Sequence, residues 1–247
     1  MVTINEDDEL SQAAVWAIQE GACDELQLLL EEEPWLALAW LRDADPLSRV
    51  SWSLLHVVTA WPGHVPDGPV SVNLLVRAGA NVDARFRGEH EETPLHQAAC
   101  SGDVDVLDAL LDAGADIEAP GAVIGGGTPL ADARGYKQWR AAFRLVERGA
   151  QTTLEDAATL GLLDRVEHAF ANGAPPGTGE VNAAFWGACH GGRTEAAQFL
   201  LDRGAQLDWV PPWAQLTPLD AAERERADEL VTLLRARGAR TVDELSA

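Results

Sequence analysis

The sequence predicts an all-α solenoid of about seven stacked helix-turn-helix units with capping units at both ends, and three observations predict it. The first is the run from Thr93 to Asp116. Thr93 is a good N-cap, Pro94 follows at the first helical position where its missing N–H costs nothing, and Leu95, Ala98 and Ala99 give a short helix a narrow apolar face. A turn at Ser101-Gly102 leads to Val104, Leu107, Leu110 and Leu111 at helical spacing, and Gly114 ends the second helix in the left-handed conformation. The second observation is a Gly-Ala pair that recurs at Gly79, Gly114, Gly149, Gly173, Gly204 and Gly238, at intervals of 35, 35, 24, 31 and 34 residues. The third is the division of labour: small residues on each first helix, large ones on each second. One such unit cannot bury its own apolar face, so neighbours must stack on it.

Taken in order, residues 1–33 read as an N-terminal capping unit. Ala14 to Gly21 supply its first helix, Leu26 to Leu30 its second, and Glu6, Asp7, Asp8 and Glu9 its polar outer side. Trp16 is expected at a core position of that first helix. Residues 34–52 are an insertion with Leu36, Leu38, Trp40 and Leu41, expected as a short helix on the first unit. Unit two, 53–84, opens at Ser53-Leu54-Leu55-His56, and its inter-helix turn is expanded over 61–69 into a Pro/Gly loop. Units three and four span 93–119 and 128–151. Unit five, 152–175, follows with almost no connection, which explains the 24-residue step. Unit six spans 183–210, with Trp186 in its core. The closing cap, 217–247, carries the charge-rich Glu223-Arg224-Glu225-Arg226. The reading is of one continuous domain.

Thr93-Pro94-Leu95-His96, its echoes at Ser53, Thr128 and Thr217, and the period of about 33 resemble the ankyrin repeat, and the resemblance covers nearly the whole chain. It implies a protein-protein interaction module that holds a partner in its concave groove, through the fingers between repeats and the turns after each first helix. The positions thus implied for partner binding are Trp61, His64, Arg85, Phe86, Arg87, His90, Glu92, Tyr136, His190, Trp209 and Trp213. Aromatic residues there bury large areas at small rotamer cost. For Trp209 and Trp213, partner contact and packing against the adjacent turn both stand open. His56 and His96 fall where the family's histidine fastens the turn. The alternative is a ligand-binding or catalytic solenoid, in which His64, His90, Tyr136 and His190 converge on a groove pocket.

A net charge of −22 disfavours nucleic acid and anionic membrane as partners and suits solubility or a basic partner surface. No signal peptide or spanning segment is read, and the three distant cysteines, Cys23, Cys100 and Cys189, suit a reducing cytoplasm. No cofactor or metal site is expected, and the chain is expected to be monomeric. Ile124-Gly125-Gly126-Gly127-Thr128 lacks the Lys and the preceding strand of a phosphate loop, and reads as a flexible finger. Adjacent Cys189-His190 cannot face each other as nucleophile and base on one helix.

Overall fold

The computed structural model describes residues 2–45, 47–171 and 174–246, and the chain forms two compact units, Met1–Ala150 and Gln151–Ala247. Gly173, one of the six recurring glycines, lies outside the described residues.

The first unit holds four helix pairs: α1 (Glu9–Gln19) with α2 (Cys23–Glu32), α3 (Leu54–Thr59) with α4 (Gly68–Arg77), α5 (Pro94–Ser101) with α6 (Val104–Asp112), and α7 (Pro129–Gly135) with α8 (Trp139–Glu147). The first helix of each pair stacks on the first helix of the next, and the second helices stack likewise. Alanines such as Ala98, Ala99 and Ala133 let the first layer pack closely, while Leu26, Leu75, Leu107, Leu110 and Leu145 fill the space from the second; all are fully buried. Each such leucine stabilises the stack by about 2 kcal/mol. The second unit repeats this plan with α9 (Leu154–Leu160) and α10 (Leu163–Ala171), α11 (Thr178–His190) and α12 (Thr194–Leu201), then α13 (Pro218–Arg224) and α14 (Asp228–Ala236), and ends in α15 (Val242–Ser246).

The glycines that end second helices are as expected: Gly79, Gly114, Gly149, Gly204 and Gly238 have φ of +101°, +90°, +104°, +92° and +87°. A side chain there would be strained even where space is open, which is why the pair recurs as Gly.

The insertion differs from expectation. Its Pro34–Leu38 stretch is a 3-10 helix, but the chain then forms β2 (Trp40–Arg42) and β3 (Ser51–Ser53), joined by β1 (Thr3–Asn5) into a sheet of order β1-β2-β3. β1 runs parallel to β2, with Ile4 opposite Leu41, and β2 antiparallel to β3, with Leu41 opposite Trp52. Beyond β3, Ser51 exchanges both backbone hydrogen bonds with Arg87, so the sheet is tied to the first finger. Trp16 also differs: it is 54% exposed, because Ala14, Ala17 and Ile18 already occupy the inward positions of α1.

One device fastens successive repeats. The Nδ1 of His56 accepts the Ser53 N–H at 3.2 Å, which leaves its Nε2–H to donate to the Glu92 carbonyl at 3.1 Å. His96 does the same with Thr93 N–H at 3.1 Å and the Gly127 carbonyl at 3.3 Å. The accepting carbonyl belongs, both times, to the residue before the next repeat's Thr. In the second unit Trp186 stands in the histidine's register, and its indole N–H donates to the carbonyl of Leu216, the residue before Thr217, at 3.0 Å. Trp186 is therefore buried, as expected, and carries a directed bond besides. Trp186→Phe keeps the packing but orphans the Leu216 carbonyl, and is expected to cost about 1–2 kcal/mol in urea unfolding. At Thr153 and Thr217 the box is closed by Asp156 and Asp220, which accept the Thr N–H at 2.9 Å each.

Candidate functional site

Gly21 and Gly102 have φ of +66° and +75° and close equivalent turns, which puts the first helices of the first unit in register. One row then reads Trp16, Val57, Gln97 and Asp132. A second reads Gln19, Ala60, Cys100 and Gly135, and the turn row reads Glu20, Trp61, Ser101 and Tyr136. Val57, Gln97, Gln19 and Ala60 line a cleft of about 440 Å³ whose far wall is Leu41, Trp52 and Phe86. The first two rows therefore face the groove between the first helices and the sheet and finger, and the turn row runs along its edge. Three aromatics stand open on them: Trp61 at 71% exposed, Trp16 at 54% and Tyr136 at 44%.

The expanded loop after α3 lies along the turn edge rather than standing free. Gly63 abuts Ser101, Pro66 abuts Gly21, and the His64 N–H donates to Asp103 Oδ2 at 2.7 Å. Asp103 also caps α6 through the Val106 N–H at 3.2 Å. The His64 ring is 62% exposed with Nδ1 3.7 Å from that carboxylate, and the Trp61–Pro62 peptide is cis.

The first finger is held at both sides. Arg85 donates to the carbonyls of Pro120 and Glu91, so its guanidinium braces the next finger. Arg87 lies over the Trp40 ring, 4.2 Å from the centroid. Phe86 meets His56 edge-on at 5.9 Å and donates its N–H to the Glu92 carbonyl at 2.8 Å. On its other side this finger borders a cleft of about 730 Å³ with Trp40, Arg49 and Asp83. His90 is exposed and Glu92 half-buried.

The finger 121–127, expected to be flexible, is a hydrogen-bonded loop. Ala122 N–H bonds the Gly127 carbonyl at 3.0 Å, and Asp132 Oδ1 accepts the Ile124 N–H at 3.0 Å. Ile124 packs onto Gly135, so the loop folds down over α7 and leaves Asp132 fully buried, with Oδ2 unpartnered. Burial, helped by Glu92, pushes the Asp132 carboxyl up to about 7, against the backbone N–H groups of Ile124 and Val123 and the His90 imidazole. Burial also raises Glu92, which the His90 imidazole opposes. Burial and then Glu92 and Asp132 push the Cys100 thiol up to about 12, so it is an inert thiol. Tyr136 is raised by burial and by the same carboxyls. Glu92, Asp132, Cys100 and Tyr136 thus form one electrostatic neighbourhood, with His90 as the imidazole bearing on both carboxyls.

In the second unit His190 stacks on Trp186 at 5.2 Å and 14°. Trp213 meets Trp186 at 6.4 Å and Trp209 at 5.7 Å, both near perpendicular. Trp209 is half-buried, and Trp213 is 57% exposed, so one tryptophan packs and the other stays open on the same cluster. Cys189 is buried and its thiol is raised by burial. Among the described residues no group of three His, Cys, Asp or Glu is placed to hold a metal ion, and no helix is long and apolar enough to cross a membrane.

Sequence reasoning missed Trp16 and Asp132. Aligning Gly21 with Gly102 would have placed Trp16 in the groove row. No local signal marks the burial of Asp132, which depends on a loop folding over it.

Two layers of antiparallel helix pairs joined by fingers, with a Thr-capped first helix fastened by the following ring, define a class: the α-solenoid of short hairpin repeats. Residues 14–121 match the family model described as ankyrin repeats (3 copies). The crystal structure of the human ASB11 ankyrin repeat domain is similar over 92% of this chain and 97% of that one, with a TM-score of 0.52 and 19% identity. No curated protein matches the sequence. Residues 14–121 thus carry ankyrin repeats, and the chain shares the fold of an ankyrin-repeat domain.

Proposed function

We propose that the protein is a non-enzymatic module that binds a protein partner in the groove of its first unit, with Trp16, Trp61 and Tyr136 as anchors and Phe86, His90 and Glu92 on the facing finger. The carrying observation is that three large aromatics stay open along one groove, beside an apolar cleft, although α3 and α7 bury all their apolar residues. Exposed aromatic clusters of this kind mark interaction sites. Ankyrin repeats generally mediate protein-protein interaction, which supports the same reading. In the second unit, Trp213 above Trp209, Trp186 and His190 is a subsidiary contact. Three thiols outside any disulfide suit a reducing, cytoplasmic setting.

Trp61→Ala removes a mostly exposed side chain and should shift unfolding by less than about 1 kcal/mol, and Trp16→Ala, which removes a half-covered one, by about 1–2 kcal/mol. Each should weaken binding of a captured partner by about 30-fold, the scale of one hot spot. Equal recovery of the same partner by wild type and both variants would refute the groove assignment.

A further inference from the structure

We propose that the groove of the first unit recognises a cationic side chain: a partner segment lays an Arg or Lys between Glu92 and Tyr136, over the buried Asp132. The inference rests on the groove reading and names the chemistry of its occupant.

Four observations meet at this spot. Asp132 is in the row of Trp16, Val57 and Gln97, and its Oδ1 accepts the Ile124 N–H at 3.0 Å, which puts its carboxyl on the side of α7 that the finger 121–127 covers. Its Oδ2 is fully buried with no hydrogen-bond partner, which is a cost unless a donor or a positive charge is supplied. Glu92, half-buried next to it, adds a second carboxyl, and the exposed His90 imidazole is the group that offsets both. Tyr136 presents 44% of its surface alongside, and a ring beside two carboxyls attracts a guanidinium or ammonium through its π face as well.

Carboxylates elsewhere in the unit are treated differently. On the second helices Asp108 takes Arg144 at 2.8 Å and Arg148 at 2.7 Å, and Arg148 also takes Asp112 at 2.6 Å. Arg85, the arginine at the base of the first finger, is spent on backbone carbonyls. Asp108 and Asp112 on the second helices thus have cations of their own, whereas among the described residues no salt bridge reaches Glu92 or Asp132. The chain's net charge of −22 draws a cationic segment in the same direction. The open Trp61 and Trp16 beyond would cover apolar neighbours of that cation.

The test is a selection of random peptides displayed on phage against the full-length chain, followed by affinity measurement with synthetic peptides. The expected result is an enriched motif with Arg or Lys at one fixed position among apolar residues. Replacing that residue by citrulline (for Arg) or norleucine (for Lys) should weaken binding to the wild-type chain by about 30-fold, as for a charge-assisted hydrogen bond. The same replacement should change little against the Glu92→Gln/Asp132→Asn double variant, in which the amide oxygen that takes the place of the Asp132 Oδ1 can still accept the Ile124 N–H. A motif with no fixed cation, or a cationic peptide whose neutral analogue binds equally well, overturns the inference and leaves the groove reading standing. A selected peptide whose binding ignores Trp61→Ala contradicts the groove reading and this inference with it.

Discussion

Gly191→Ala is expected to destabilise the second unit by about 3 kcal/mol, although alanine is the better helix former by up to about 1 kcal/mol. Gly191 follows α11 with φ of −88°, so no backbone strain is involved and the question is one of space. A Cβ at Gly191 would fall inside the contact distance of the Thr159 carbonyl oxygen, and one at Gly187 inside that of the Thr159 hydroxyl. These two glycines, four residues apart, are what let α11 close onto α9. The obstructing atom is backbone, and its carbonyl also receives the Arg193 Nε–H at 3.2 Å, so α9 would have to move as a whole. Gly179 provides the control: it lies in the first turn of the same helix, with open space where a Cβ would sit. Gly179→Ala should stabilise by about 0.5 kcal/mol. Urea unfolding of the two variants checks the contrast; similar midpoints would show that the α9–α11 approach is looser than described.

The second large effect is on acid stability. Burial, against the hydrogen bond each ring makes to a carbonyl, holds His56 and His96 at about 4, well below their ordinary 6.5. Between these values the unfolded chain takes up a proton that the folded chain refuses, so each histidine removes about 1.4 kcal/mol of stability per pH unit as pH falls. Asp132 acts in the opposite sense. Raised from 3.8 to about 7, it holds a proton in the folded chain that the unfolded chain releases, so its contribution grows by about 1.4 kcal/mol per pH unit as pH falls from about 7 towards 4. Between about pH 6.5 and about pH 5 the two histidines together remove about 3 kcal/mol and Asp132 returns about 2, a net loss of roughly 1 to 1.5 kcal/mol. Asp132→Asn removes the opposing group, and the loss over the same interval should rise to about 3 kcal/mol. Chemical denaturation at the two pH values measures this; equal losses for the variant and wild type would mean that Asp132 is ionised throughout.

Much of the fold is legible because its constraints are local. The Gly-Ala pairs are readable since a left-handed residue follows α4, α6, α8, α12 and α14, and Thr93-Pro94-Leu95-His96 since capping, proline placement and the histidine hydrogen bonds to its own cap all act within four residues. The sheet is not readable. Its strands are three residues long and are held by pairings that join residues 3–5, 40–42 and 51–53, too short for any alternation to show. Trp16 misleads by residue type: a tryptophan in an apolar helix suggests core, yet the spacing of Ala14, Ala17 and Ile18 already turns it outward. At the candidate site Trp61, Tyr136 and Trp213 follow from their turn and finger positions. Arg85 has another task, because the carbonyls of Pro120 and Glu91 reach it only once two fingers are side by side. The importance of Asp132 arises the same way, when Ile124 closes over Gly135.

Hydrogen exchange on the full-length chain, free and saturated with a captured partner, is the most direct check on where the protein binds. Slowed exchange at the ends of α1, α3 and α5, in residues 60–64 and 85–92, and around Tyr136 is the result expected of an occupied groove. Slowing confined to α4, α6 and α8, with those segments unchanged, would place the partner on the second-helix face and contradict it.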